Sequence, residues 1–106
     1  MDSKTARQEA AEQVRAGFAD EVRSALEAHA FRRLDDVVEV HFRHTAHTRG
    51  FGQRASCVTE DSVFWRDLPE LDDSLDTLAA HLRPLAGEVL RVDMATGVTE
   101  MLGGTQ

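Results

Sequence analysis

One cysteine, one lysine and no long apolar run are what this 106-residue chain has least of, and each shortage excludes something. Cys57 is alone, so no disulfide can close within the chain. Nowhere does the chain approach the roughly 18 consecutive apolar residues that a membrane-spanning helix needs. Met1-Asp2-Ser3-Lys4 leads into a polar helix and not an apolar signal core. Together with the lone thiol, this predicts a soluble protein of the reducing cytoplasm, with no membrane partner. A further absence is local: between Val40 and Thr59 there is no Asp or Glu, although the chain as a whole is acidic.

What is present belongs to a globular chain, 42% hydrophobic and 29% charged, a balance unlike that of disordered sequences. One domain is expected over residues 1–106, with a loose tail at 103–106, burying roughly two thirds of the surface that the unfolded chain exposes. The net charge of −7 disfavours nucleic acid as a general partner, because that affinity comes largely from Lys and Arg on phosphates. The acid-free window carries Arg43, Arg49 and Arg54 with neutral histidines, leaving −10 for the rest. A polarised surface follows.

From Ser3 to Leu34, Ala11, Val14, Phe18, Val22, Ala25, Leu26 and His29 fall on one stripe, which predicts a long amphipathic helix. Thr5 and Gln8 fit a capping box, so the start is expected near Thr5. A helix of about 28 residues spans about 42 Å at 1.5 Å per residue, so its first turns are expected to overhang or to meet a partner subunit. From Val37 the period changes to two. Val38, Val40, Phe42, His44 and Ala46 alternate with Glu39, His41, Arg43, Thr45 and His47, and a turn region at Gly50-Phe51-Gly52 leads to a second strand from Arg54 to Thr59. Glu60-Asp61-Ser62 interrupts, and Val63, Phe64 and Trp65 then offer bulk for the core.

Leu68-Pro69-Glu70 links to a second helix with Asp72 or Asp73 as N-cap and Leu75, Leu78, Leu82 and Leu85 as its buried stripe, ended by Pro84 and Gly87. Glu88 to Leu102 predicts a second hairpin with Leu90, Val92 and Met94 on one face and a turn at Ala95-Thr96-Gly97. A two-residue loop puts Met101 on the core face, and a three-residue loop puts Val98 and Leu102 there. The expected fold class is α+β. A long N-terminal helix and a short second helix pack on one face of a roughly four-stranded antiparallel sheet made of two hairpins. Cystatin-like and NTF2-like folds share that architectural plan, which says nothing of function.

Few constellations carry chemistry. His41, His44 and His47 invite a metal with Cys57 as a thiolate, but on a strand His44 leaves the face of the other two, which lie about 20 Å apart. No metal or cofactor is therefore expected. Protonation of the three would raise the window from +3 to +6. Cys57 beside a histidine is the one nucleophile pair to weigh, and Ala55 and Val58 around it predict an inert core thiol. The paired acids Asp35-Asp36 and Asp72-Asp73 sit at helix boundaries, where capping and dipole effects account for them.

The leading expectation is a small non-catalytic protein-binding module, of inhibitor, immunity or regulatory-adaptor type, also able to self-associate as a homodimer. Its contact residues would be Asp67, Glu70, Asp72, Asp73 and Asp76, which interleave with Trp65, Leu68, Leu71, Leu75 and Leu78 and suit a protein partner with a basic surface. The alternative is an anion- or nucleic-acid-binding domain that uses Arg43, Arg49, Phe51 and Arg54 of the basic hairpin. A small enzyme or metal protein ranks behind both.

Overall fold

Alternation along the central strand decides which side of the sheet is dry. The computed structural model describes residues 3–29, 31–44 and 50–103. In β1, Glu39–His44, Val40 and Phe42 are fully buried, while His41 and Arg43 point the other way, as a period of two requires. β1 pairs antiparallel with β2, Phe51–Val58, on one side and with β4, Val89–Asp93, on the other. β3, Val63–Asp67, and β5, Thr99–Leu102, form the edges, giving the order β3-β2-β1-β4-β5. Among the described residues the sheet thus has five strands, where about four were expected.

The helices α1, Ser3–Ala28, and α2, Asp72–Leu82, cover one face of this sheet. From α1, Phe18, Val22 and Leu26 are completely buried, each worth roughly 1.5–3 kcal/mol of burial. Phe18 meets Phe42 with ring centroids 5.6 Å apart. From α2, Leu75 and Leu78 join Ala55 and Cys57 of β2 and Leu90 and Val92 of β4 in the same core. Gly50 is needed where β2 begins, because a Cβ there would lie 2.8 Å from the Ala79 Cβ of α2.

Several boundaries differ from the sequence expectation. α1 ends at Ala28 instead of Leu34 because the chain must turn to bury Phe31, whose N–H bonds the Leu26 carbonyl at 3.1 Å. His29 therefore leaves the buried stripe and is exposed. The helix is already under way at Ser3; the side chains of the Thr5–Gln8 pair lie outside the described residues, and in the first turns expected to overhang Glu9, Glu12 and Gln13 are exposed while Ala11 is buried. Asp72 and Asp73 do not cap α2. A 3-10 turn over Pro69–Leu71 runs straight into the helix, so Leu71 takes the cap position and the two acids fall in the first turn. The C-terminus comes at Leu82, with Arg83 left-handed at φ 50°, and Leu85 is left 72% exposed.

The bulk of Val63-Phe64-Trp65 is divided between two faces. Cys57 pairs with Phe64, so Phe64 turns inward while Val63 and Trp65 are 52% and 59% exposed. Thr59 ties the β2–β3 turn, its hydroxyl donating to Asp61 at 3.0 Å and accepting from the Ser62 N–H at 3.1 Å. The β4–β5 loop is neither of the lengths considered. Asp93 N–H bonds the Val98 carbonyl at 2.8 Å, so four residues intervene, with Gly97 at φ 80°. Leu90 then pairs with Met101 on the core side, and Val98 and Leu102 are exposed.

Truncating the central contact and truncating an outward aromatic should differ sharply. Phe42→Ala is expected to lower urea-unfolding stability by about 3–5 kcal/mol, whereas Trp65→Ala should stay within about 1 kcal/mol, as exposed sites do.

Candidate functional site

The face of the sheet that the helices leave bare presents three rows of side chains across the strands. Val63, Val58, Glu39 and Asp93 form the first; Trp65, Ser56, His41, Arg91 and Glu100 form the second. Asp67, Arg54, Arg43, Val89 and Leu102 form the third, with a break in register inside it. Phe42 pairs with Ala55 but His44 pairs with Phe51, so Arg43 alone faces the three residues Gly52, Gln53 and Arg54. Extra residues of this kind bend a strand and re-aim its side chains.

The two halves of this face differ electrostatically. On the β4–β5 side, Arg91 is held by carboxylates: its Nε donates to Glu39 at 2.8 Å, a second guanidinium N–H donates to Glu100, and Asp93 lies 3.7 Å away. His41 Nε2 is 2.9 Å from the other Glu39 oxygen. Burial alone would raise the Glu39 carboxyl, yet the hydrogen bonds from Arg91 and His41 outweigh it and hold the group below its usual range. Asp93 is also lowered, because it accepts the N–H groups of Thr96 and Ala95.

On the β2–β3 side the cations are not matched in this way. Arg43 is exposed and makes no hydrogen bond or ion pair among the described residues. Arg54 reaches Asp67 at only 3.4 Å, between side chains 68% and 64% exposed, a pairing worth little in water. Between these arginines and Trp65 lies a groove of about 320 Å³, with Gly52 and Ser56 along it and His41 and Val89 beside it.

A different surface lies across the molecule, between α1 and the Pro69–Leu71 turn. A shallow crevice of about 430 Å³ has Ala25, Ala28 and Leu71 as its apolar floor and Asp20, Glu21 and Glu70 on its rim. Glu21 accepts from the Ser74 hydroxyl at 2.7 Å, which links α1 to α2, and His29 Nε2 meets Glu70 at 2.7 Å. Beyond the crevice, Asp72, Asp73 and Asp76 are exposed on α2. At 100° per residue they occupy one flank, opposite the buried Leu75 and Leu78. Helical spacing also puts Arg15 and Arg23 on the other flank of α1, where Arg15 Nε donates to the Thr99 carbonyl at 2.6 Å.

The sequence-predicted residues are thus divided. Asp67 sits on the bare sheet face with Arg54, while Glu70, Asp72, Asp73 and Asp76 belong to the helical layer. Leu68, Leu71, Leu75 and Leu78 are buried, so of these only Leu71 reaches a groove. Arg43 and Arg54 come together, but Phe51 is 6% exposed in the core and is not a stacking surface. Arg49 and His47 lie outside the described residues. Cys57 is fully buried facing the helices, and burial pushes its thiol up to about 11; His41 is on the opposite face and cannot act as its base. His44 is half-buried, with Nδ1 2.8 Å from the Gly50 carbonyl. Among the described residues no cluster of three metal-ligating side chains occurs, and no helix is long and apolar enough to cross a membrane.

The sequence singled out neither Asp20 nor Glu21, and it offered Trp65 as core bulk and beside the acidic stretch, not with the arginines. The signal for Trp65 was its parity with Phe64; for the two acids it was the lack of Lys or Arg along one flank of α1. Comparison with protein-family models, curated proteins and solved structures found no match.

Besides the exposed Asp61 and Glu70, whose carboxyls are also lowered, Glu39 and Asp93 contribute to the acid response. Both carboxyls are lowered on folding, so their contribution is complete above the unfolded value, about 4, and is lost as pH falls through the folded value. Urea midpoints should therefore drop below about pH 4, and Arg91→Gln should make that drop shallower while lowering the midpoint at neutral pH. An unchanged acid profile in Arg91→Gln would remove the cluster from acid sensitivity.

Proposed function

We propose that the protein is a non-catalytic protein-binding module whose acidic inter-helix crevice receives a basic segment of a protein partner. What supports this reading is the crevice itself: an apolar floor of Ala25, Ala28 and Leu71 rimmed by Asp20, Glu21 and Glu70, with Asp72, Asp73 and Asp76 extending the same charge onto α2. The apolar floor of this crevice of about 430 Å³ suits the hydrophobic side of a short amphipathic segment, and the rim suits its Lys and Arg residues. Such a surface gains mostly in encounter rate and selectivity, because rim charges stay hydrated. The His29–Glu70 pair on the rim is half exposed and can open at little cost. Cys57, buried and with its thiol raised, offers no nucleophile, which fits a binding role better than a catalytic one.

A Lys/Arg-rich amphipathic peptide should bind with an affinity that falls steeply between low and high salt. Asp20→Lys combined with Glu70→Lys should weaken it about tenfold or more, a loss of about 1.4 kcal/mol, while Asp67→Lys on the bare sheet face should leave it unchanged. Salt-independent binding, or binding unaffected by the double substitution, would refute the crevice as the contact surface.

A further inference from the structure

The groove on the bare face of the sheet lies on the opposite side of the molecule and is independent of the acidic crevice. Four observations about it point the same way. Trp65 is 59% exposed, although a core with room for Phe64 from the same strand would gain from an indole, which buries about 150–250 Å². Arg43 stands without a carboxylate among the described residues, and Arg54 has only its long, solvated contact to Asp67. The register break opposite Arg43 brings Gly52 and Arg54 to the same place, so a residue without a side chain lines the groove beside the two arginines. Ser56, the residue paired with Trp65, is small and leaves one side of the indole open.

We propose that this groove binds a small aromatic anion, a planar ring that stacks on Trp65 and carries one carboxylate or phosphate held by Arg43 and Arg54. Dimensions favour a compact ligand. At 320 Å³ the groove is at the low end of the roughly 300–1,000 Å³ typical of ligand pockets. Trp65 on β3 and Arg43 on β1 are two strand spacings and one row apart, about 12 Å, a span that a ring with a short acidic arm covers with the reach of the arginine side chain. Charge selects the anion. Glu39 and Glu100 are engaged on Arg91, and Asp67 reaches Arg54 only at 3.4 Å between exposed side chains, so the ligand's acid group displaces one weak, solvated contact to take up the two guanidiniums. The ring face of Trp65 supplies stacking and apolar contact, which a bare inorganic anion cannot use.

Trp65 is the only tryptophan, so its indole N–H gives one signal in a 1H–15N correlation spectrum, placed inside the proposed site. The titrants are indole-3-acetate and adenosine monophosphate, which separate a carboxylate from a phosphate, with indole as a ring without charge and inorganic phosphate as a charge without a ring. The proposal expects a saturable shift of the Trp65 signal with at least one aromatic anion, about tenfold tighter than with either control. Arg43→Gln should weaken that binding about tenfold, and Asp20→Lys with Glu70→Lys should not alter it. Absence of saturation with both aromatic anions, equal affinity for indole, or unchanged affinity in Arg43→Gln would each overturn the proposal.

Discussion

Phe18 of α1 rests against Phe42 of β1 with ring centroids 5.6 Å apart, and this contact at the middle of the sheet settles the sidedness of every other strand. β1 is the central strand, so burying Phe42 and Val40 assigns one face to the helices, and cross-strand register carries the assignment outward. Cys57 and Ala55 follow on β2, Phe64 on β3, Leu90 and Val92 on β4, and Met101 on β5. A shift of one residue anywhere would move the whole apolar set of that strand into water. The same arithmetic puts His41, Arg43, Arg54, Trp65 and Arg91 on the other side.

The result is a molecule with two unlike surfaces. The helical layer shows solvent an acidic flank, where Asp20, Glu70, Asp72, Asp73 and Asp76 stay exposed, and helical spacing puts Arg15 and Arg23 on the other flank of α1. The bare sheet face is mixed in charge but sorted: Arg91 gathers the acids of β1, β4 and β5 around it, and Arg43 and Arg54 remain with Trp65 at the opposite side. The charge segregation visible in the acid-free stretch from Val40 to Thr59 thus takes physical form as a groove and not as a uniformly basic hairpin, since Phe51, Ala55 and Cys57 of that stretch are core.

Features that depend on local periodicity could be read from the sequence. The alternation of β1, the β1–β2 hairpin, the leucine stripe of α2 and the α+β class all follow from spacing within one segment. Features that depend on a distant neighbour could not. Val63-Phe64-Trp65 is apolar throughout, so only its pairing with β2 says which residue turns inward. The end of α1 is set by the need to bury Phe31, and the four-residue β4–β5 loop by the Asp93 side chain accepting two backbone N–H groups. For the site, Arg43 and Arg54 were legible as cations outside the apolar alternation. The register break that brings them together with Gly52 was not, because it involves two strands at once, and neither was the crevice, whose rim joins residues about 50 positions apart.

Acrylamide quenching of Trp65 fluorescence tests the sidedness of the sheet most directly, because the chain has a single tryptophan and no tyrosine to obscure it. With Trp65 59% exposed on the bare face, quenching in the native protein should be close to that of the urea-unfolded chain. A native tryptophan shielded like a core residue, and quenched freely only after unfolding, would contradict the assignment of β3 and with it both the groove and the division of the molecule into two faces.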